Sequence, residues 1–296
     1  MKHRYLIALL CLCLSSTATA FDFGGLNIPI GGGGDDSNTI DIGEALGGAK
    51  DVSRSITGID QEEEIEIGND AAALLLGAAK PVNDKALQTY VNRVGRWVAS
   101  QTERPDLPWR FCVLDTPSVN AFATPGGNIF ITRGLLYSLR NEAELAGVLA
   151  HEAAHVISKH HIEAMTSLTS GAGGLLKIYK QTDDGQDNTA ATTLAGTFKN
   201  LYTSGLDQDD EFEADRMGVV IAARAGYDPY ALIAVLQTLE TAKEDNVNLS
   251  LMTKTHPAPR ERIDRLDTAL EPLDAYAEQP GVQGRFADQL QAHFKR

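Results

Sequence analysis

Asn141-Glu142-Ala143-Glu144-Leu145-Ala146-Gly147-Val148-Leu149-Ala150-His151-Glu152-Ala153-Ala154-His155-Val156-Ile157 is the stretch on which the reading of this chain turns. Asn141 is a good N-cap, because its side-chain oxygen can accept a backbone N–H of the first helical turn. Leu145, Val148, Leu149, Ala153, Val156 and Ile157 then recur at helical spacing. His151 and His155 stand four apart, so a helix sets both imidazoles on one face, where they can share one ion. A neutral imidazole is a good zinc ligand, and a helix fixes the separation without an ordered loop. Glu152 follows the first histidine and can lean over the metal to take a proton from water. The bland alternative is a solvated helix face that carries these three residues by coincidence. The apolar flanks argue against it, since they bury the helix, and buried ionisable groups need a partner such as a metal.

A catalytic zinc site takes three protein ligands and leaves a fourth position open. His161 lies six residues after His155, where one family of zinc peptidases has a third histidine after a helix-ending glycine. Here Ser158-Lys159-His160-His161 carries no stop, and on a continuing helix His161 rotates far from the face of His155. Glu211, in Glu211-Phe212-Glu213-Ala214-Asp215, is the better candidate. It completes a set of two histidines and one glutamate. Asp215, one turn on, can accept the free N–H of a ligand histidine and fix its tautomer. Glu213, on another face, is the competitor. The surrounding acids Asp207, Asp209 and Asp210 also fit a solvated helix start stabilised by the dipole.

The chain has 296 residues, enough for one large or two small domains, with 43% hydrophobic and 22% charged residues, an ordinary globular composition. A net charge of −14 argues against a nucleic-acid binder, which needs a basic stripe to meet phosphates. Residues 1–20 read as a secretory signal peptide. Lys2 and Arg4 form its positive region, Tyr5 to Leu14 its apolar run, and Ala18-Thr19-Ala20 its cleavage pattern. Export to the periplasm is therefore expected, with an uncleaved anchor as the rival reading. Cleavage would leave Cys112 as the one thiol, set in an apolar run that suits a buried structural cysteine.

Residues 21–60 form a flexible, Gly-rich segment with linker chemistry. Helices are predicted from Glu62-Glu63-Glu64 into Ala79, and from about Asp84 to Gln101. Three short strands follow at Trp109 to Leu114, Asn120 to Thr124 and Asn128 to Thr132, with Pro125-Gly126-Gly127 as a hairpin turn between the last two. Residues 163–206 are the least legible, broken by Gly171, Gly173 and Gly174 and by an exposed loop at Asp183 to Asn188. Helices are predicted again at about 208–225, 229–244 and 257–270. The domain is expected to span 61–275, with 276–296 as a tail.

Several stretches carry a family resemblance. They are Asn120-Ala121-Phe122-Ala123 with Pro125-Gly126-Gly127, Thr132-Arg133-Gly134, Asn141 to His155, Glu211 to Asp215, and Thr255-His256-Pro257 with Arg260. Together they resemble metallopeptidase family forty-eight, gluzincins of the HtpX and CAAX-prenyl-protease type, over roughly residues 60 to 270. The resemblance implies an α+β fold, a mainly α-helical zincin-like domain with a small three-stranded sheet beside the active-site helix. It implies one Zn2+ held by His151, His155 and Glu211, with Glu152 as general base and Asp215 in support. Among members the chain is similar to the soluble, envelope-located (BepA- and LoiP-like) branch. It departs by ending at Arg296, without room for an appended helical-repeat domain, and by lacking a lipid-attachment cysteine.

The expected function is a zinc-dependent endopeptidase of the bacterial cell envelope acting on unfolded or misassembled proteins. The alternative is a latent or non-proteolytic zinc-containing chaperone or scaffold. In such a family the strand Asn128, Ile129, Phe130, Ile131 and Thr132 is expected to be an edge to which extended substrate adds. His256 has two functional readings, as a donor to the oxyanion or as an occupant of the open zinc position in a resting state. Capping ahead of Pro257 is the plain reading. Arg260, one turn on, either orients His256 or an acid, or forms a surface salt bridge.

Overall fold

The computed structural model describes residues 59–169, 171–183, 188–241, 252–277 and 279–294. The expected leader at 1–20 and nearly all of the Gly-rich segment lie outside the described residues. The first described helix, α1 (Gln61–Ala78), opens with a reciprocal cap. The Asp60 carboxylate accepts the Glu63 N–H at 2.9 Å, and the Glu63 carboxylate accepts the Asp60 N–H at 3.2 Å. Its buried face holds Ile67, Ala71 and Gly68. A Cβ on Gly68 would lie 1.7 Å from the Pro125 carbonyl oxygen, so only glycine lets the helix meet this backbone. Gly68→Ala is expected to lower unfolding stability by about 1–3 kcal/mol, the usual range for overpacking, measured by urea denaturation.

Helix α2 (Lys85–Ala99) starts at Asp84, whose side chain accepts the N–H groups of Ala86 and Leu87. It buries Leu87, Tyr90, Val91, Val94 and Val98, the face its apolar spacing predicts. Three strands follow: β1 (Arg110–Leu114), β2 (Ala121–Thr124) and β3 (Asn128–Thr132). A single 3₁₀ turn, Pro125–Gly127, joins β2 to β3 as the expected hairpin.

The sheet order is β1-β3-β2, with β1 parallel and β2 antiparallel to β3. This corrects the expected substrate edge. Asn128, Ile129, Phe130 and Ile131 lie on the central strand, all buried, with both backbone edges already taken. A hairpin turn reveals which strands are neighbours, but not which flank stays open. The edge strand on the site side is β2.

After α3 (Arg133–Ser138), the decisive stretch forms α4 (Glu142–Ile157), capped by Asn141 and buried along its whole length. Helix α4 ends where the sequence showed no stop. Lys159 adopts a left-handed conformation, φ 59°, and a new helix, α5 (His160–Leu168), begins at the next residue. The stretch that was hard to read is helical too: α6 (Ala172–Asp183) and α7 (Asn188–Ser204), with 184–187 outside the described residues. These helices share an apolar cluster with α1, through Ile67, Ile162, Met165, Leu175, Leu194 and Phe198. Helical periodicity was weak here because glycines and threonines dilute it.

Helix α8 (Gln208–Arg224) crosses α4 at close range. A Cβ on Gly218 would come within 3.0 Å of the His151 backbone, so glycine permits the approach that the site needs. Helices α9 (Ala231–Thr241), α10 (Met252–Thr255) and α11 (Pro259–Leu270) follow. The stretch expected as a tail instead contains α12 (Gln283–Phe294), which buries Phe286 in the main core. Arg285 pairs with the buried carboxylate of Glu142, which also accepts the hydroxyls of Tyr90 and Tyr227. The architecture is α+β, mainly helical and zincin-like. Among the described residues, no helix is long and apolar enough to cross a membrane.

Candidate metal centre

Helix α4 presents His151 and His155 on one face, and α8 lays Glu211 against them. One ligand atom from each of the three lies within 4.8 Å of the others. The two Nε2 atoms are 3.2 Å apart; Glu211 Oε2 is 3.7 Å from that of His151, and Oε1 is 3.5 Å from that of His155. All three side chains are buried, and Glu211 Oε2 has no hydrogen-bond partner. An orphaned carboxylate oxygen in such a place is costly unless a cation meets it. A second grouping, His151, Glu152 and His256, converges on the same space.

The electrostatics suit a cation. Burial lowers the pKa of His151, although its bond to Asp215 opposes the shift. Burial, and then the neighbouring imidazoles, hold His155 well below the usual range. Both rings are therefore neutral, the form that binds metal. Burial raises Glu211 well above the carboxylate range and pushes Glu152 up to about 8. A divalent cation beside either carboxyl would favour its ionised form and draw these values back down.

Asp215 lies where the four-residue spacing put it, with Oδ1 3.0 Å from His151 Nδ1. Burial alone would raise its pKa, yet the guanidinium of Arg262 holds it far below the usual range. Arg262 donates from Nε to Oδ2 at 2.8 Å and from Nη2 to Oδ1 at 2.6 Å. Of the two readings of Arg260, support of the site is corrected and the surface salt bridge is the one found. Arg260 is exposed on α11 and pairs with Asp264 at 3.2 Å, one turn along its own helix. Arg262 is the arginine that reaches the site. It stands four residues before Leu266 and eight before Leu270, both buried, so the apolar stripe of α11 already marked its face as the inner one.

A small open cavity of about 40 Å³ lies over the group, lined by Glu152, His155, His161, Tyr202, Glu211 and His256. Ala121 and Phe122 bring β2 to its wall, beside Asn120. The Tyr202 hydroxyl donates to the Ala123 carbonyl at 2.9 Å, covering one backbone position of that edge. His256 Nε2 is 3.7 Å from Glu211 Oε2, and its Nδ1 is 2.9 Å from Thr255 Oγ1. His161, set aside on the assumption of a continuing helix, lies close by, with ring centroid 5.7 Å from that of His155. The break at Lys159 brings it there. Tyr202 and His160 were not singled out from the sequence. Nothing in the pattern of α7 marks Tyr202, whereas the adjacent histidines at 160 and 161 were a visible signal.

Two imidazoles from one helix and a carboxylate from a crossing helix are a donor set suited to a divalent cation. The chain belongs to Peptidase family M48, whose sequence model matches residues 85–270. It is 32% identical over 208 residues to the beta-barrel assembly-enhancing protease of Escherichia coli, which covers 68% of this chain and 42% of that one. A putative beta-barrel assembly-enhancing protease of Vibrio cholerae is 30% identical over 272 residues, covering 89% of this chain and 52% of its own. The mitochondrial metalloendopeptidase OMA1 of Schizosaccharomyces pombe is 28% identical over 183 residues, covering 60% and 51%. The chain thus spans about half of the length of these relatives, from 42% to 52%.

Proposed function

We propose that this chain is a zinc-dependent endopeptidase of the bacterial cell envelope that hydrolyses peptide bonds in unfolded or misassembled proteins. The observation that carries the reading is the orphaned Oε2 of buried Glu211 among two neutral imidazoles, with Glu152 on the wall of the same cavity. His151, His155 and Glu211 would hold the ion. Zinc held there would act as a Lewis acid, lowering the pKa of water and polarising a carbonyl. Glu152 takes the proton of the attacking water on its carboxylate and returns it to the leaving amine. Asp215, neutralised by Arg262, keeps the His151 proton on Nδ1 and leaves Nε2 free to ligate. His256 either donates to the carbonyl oxygen as negative charge develops or turns onto the group in a resting state.

Strand β2 is the edge along which an extended substrate would add, through backbone bonds indifferent to side chain. An apolar recess between Val148, Leu232, Val235 and Leu236 adjoins Glu152 and suits the apolar side chains that unfolded proteins expose. The leader pattern at 1–20 supports a periplasmic location, and the acidic charge supports protein substrates over nucleic acid. The alternative, a latent or non-proteolytic zinc-containing chaperone or scaffold, draws on Tyr202, which occupies an edge carbonyl that an added strand needs.

Metal removal separates these readings. Casein digestion by the purified chain is expected to stop after dialysis against a chelator and to return with zinc. Digestion that persists in fully metal-free protein would overturn the metallopeptidase reading. Bound zinc with no digestion would favour the scaffold.

A further inference from the structure

His155 turns its second nitrogen away from the metal group, onto another imidazole: Nδ1 of His155 and Nδ1 of His160 are 2.9 Å apart. Both rings are buried, 2% and 3% exposed, so water does not serve either one. Two facing imidazole nitrogens form a hydrogen bond only when one carries the proton and the other presents a lone pair. A neutral histidine that gives Nε2 to a cation keeps its proton on Nδ1. His155 is then the donor, His160 Nδ1 the acceptor, and the proton of His160 is forced onto Nε2. That nitrogen faces carboxylates of α8, Asp210 Oδ1 at 3.7 Å and Glu213 Oε1 at 3.9 Å, an environment favourable to an N–H.

We propose that His160 is a positioning residue that fixes the tautomer and ring orientation of His155, as Asp215 does for His151. The proposal rests on the metal-centre reading above and adds a residue to it. The two supports differ in kind. His151 leans on a carboxylate whose charge Arg262 already offsets, whereas His155 leans on a neutral ring, so a second acid is not brought into the buried group.

The placement of His160 is built from outside its own helix. Five residues along an unbroken helix, its ring would point roughly 140° away from His155. The left-handed Lys159 ends α4 and swings His160 back. A non-glycine residue holds that conformation only where its surroundings impose it. Lys159 Nζ is 3.4 Å from the buried carboxylate of Glu64 on α1. Arg104 grips the same carboxylate with both Nη atoms at 2.9 Å, and its Nη1 also donates to the Val156 carbonyl in the last turn of α4 at 3.1 Å. The end of the metal-binding helix is thus clamped by a helix that lies before the family-matched region begins.

The test is zinc affinity, measured on the full chain by competition with a chromophoric chelator, alongside the melting temperature of the metal-free protein. His160→Ala is expected to weaken zinc binding about 10–100-fold, the usual effect of losing such a partner. His160→Asn puts a carboxamide oxygen at the position of Nδ1 and is expected to stay within about threefold of the parent. His160→Leu fills the space without accepting a hydrogen bond and should behave like Ala; it carries the comparison if the Ala variant does not fold. Equal affinity in Leu, Asn and parent overturns the proposal, as does an Asn variant as weak as Leu. A parent chain that binds no zinc removes the metal-centre reading itself, and this proposal with it.

Discussion

Glu152→Gln is expected to lose about 10²–10⁴-fold of casein-cleaving activity, the range that a general base contributes, while keeping one zinc per chain. The substitution preserves shape but leaves an amide that cannot take a proton from water. Glu152 stands outside the group of His151, His155 and Glu211, so the ligands stay in place. Stability should not suffer. Burial raises the Glu152 pKa from 4.5 to about 8 in the metal-free fold, so the folded state binds its proton more tightly than the unfolded chain does. The parent therefore loses stability as pH rises from about 4.5 towards 8, and the Gln variant is spared that loss. The metal-free variant should match the parent at pH 4 and exceed it at pH 8 in urea denaturation. Undiminished cleavage would remove Glu152 from the reaction. Lost zinc would instead move it among the ligands, as the alternative grouping with His151 and His256 allows.

The second large effect concerns stability. Arg262→Met strands the Asp215 carboxylate, 1% exposed, without its cation, and breaking one partner from a buried pair costs about 3–5 kcal/mol. Arg260→Met, two residues away, removes an exposed pair with Asp264 and should change stability by no more than about 0.5 kcal/mol. Denaturant midpoints of the metal-free variants give both numbers. Adding Asp215→Asn to Arg262→Met should recover part of the loss, since it removes the stranded charge. Equal effects of the two arginine substitutions would mean that Arg262 does not hold Asp215 in solution.

Much of this molecule was legible from local pattern. The cap at Asn141, the apolar stripe of α2 and the Pro125-Gly126-Gly127 turn lie within a few residues of what they shape, and α4, α2 and the β2–β3 hairpin follow from them. The spacing of four between His151 and His155, and again between Glu211 and Asp215, is a property of a single helix face. Those four residues do meet in the structure.

What sequence did not disclose depends on partners far away along the chain. Strand β1 pairs in parallel beyond β3 and closes the edge expected at Asn128 to Ile131, a choice made by packing against α2. Lys159, paired with Glu64 from almost a hundred residues earlier, takes the left-handed conformation that separates α4 from α5 and carries His160 to His155. Glu142 likewise draws a supposed tail into the core through Arg285. Short-range periodicity sets which residues share a face. Only long-range burial of charge decides which faces meet, because a buried carboxylate must find its cation wherever the chain has one.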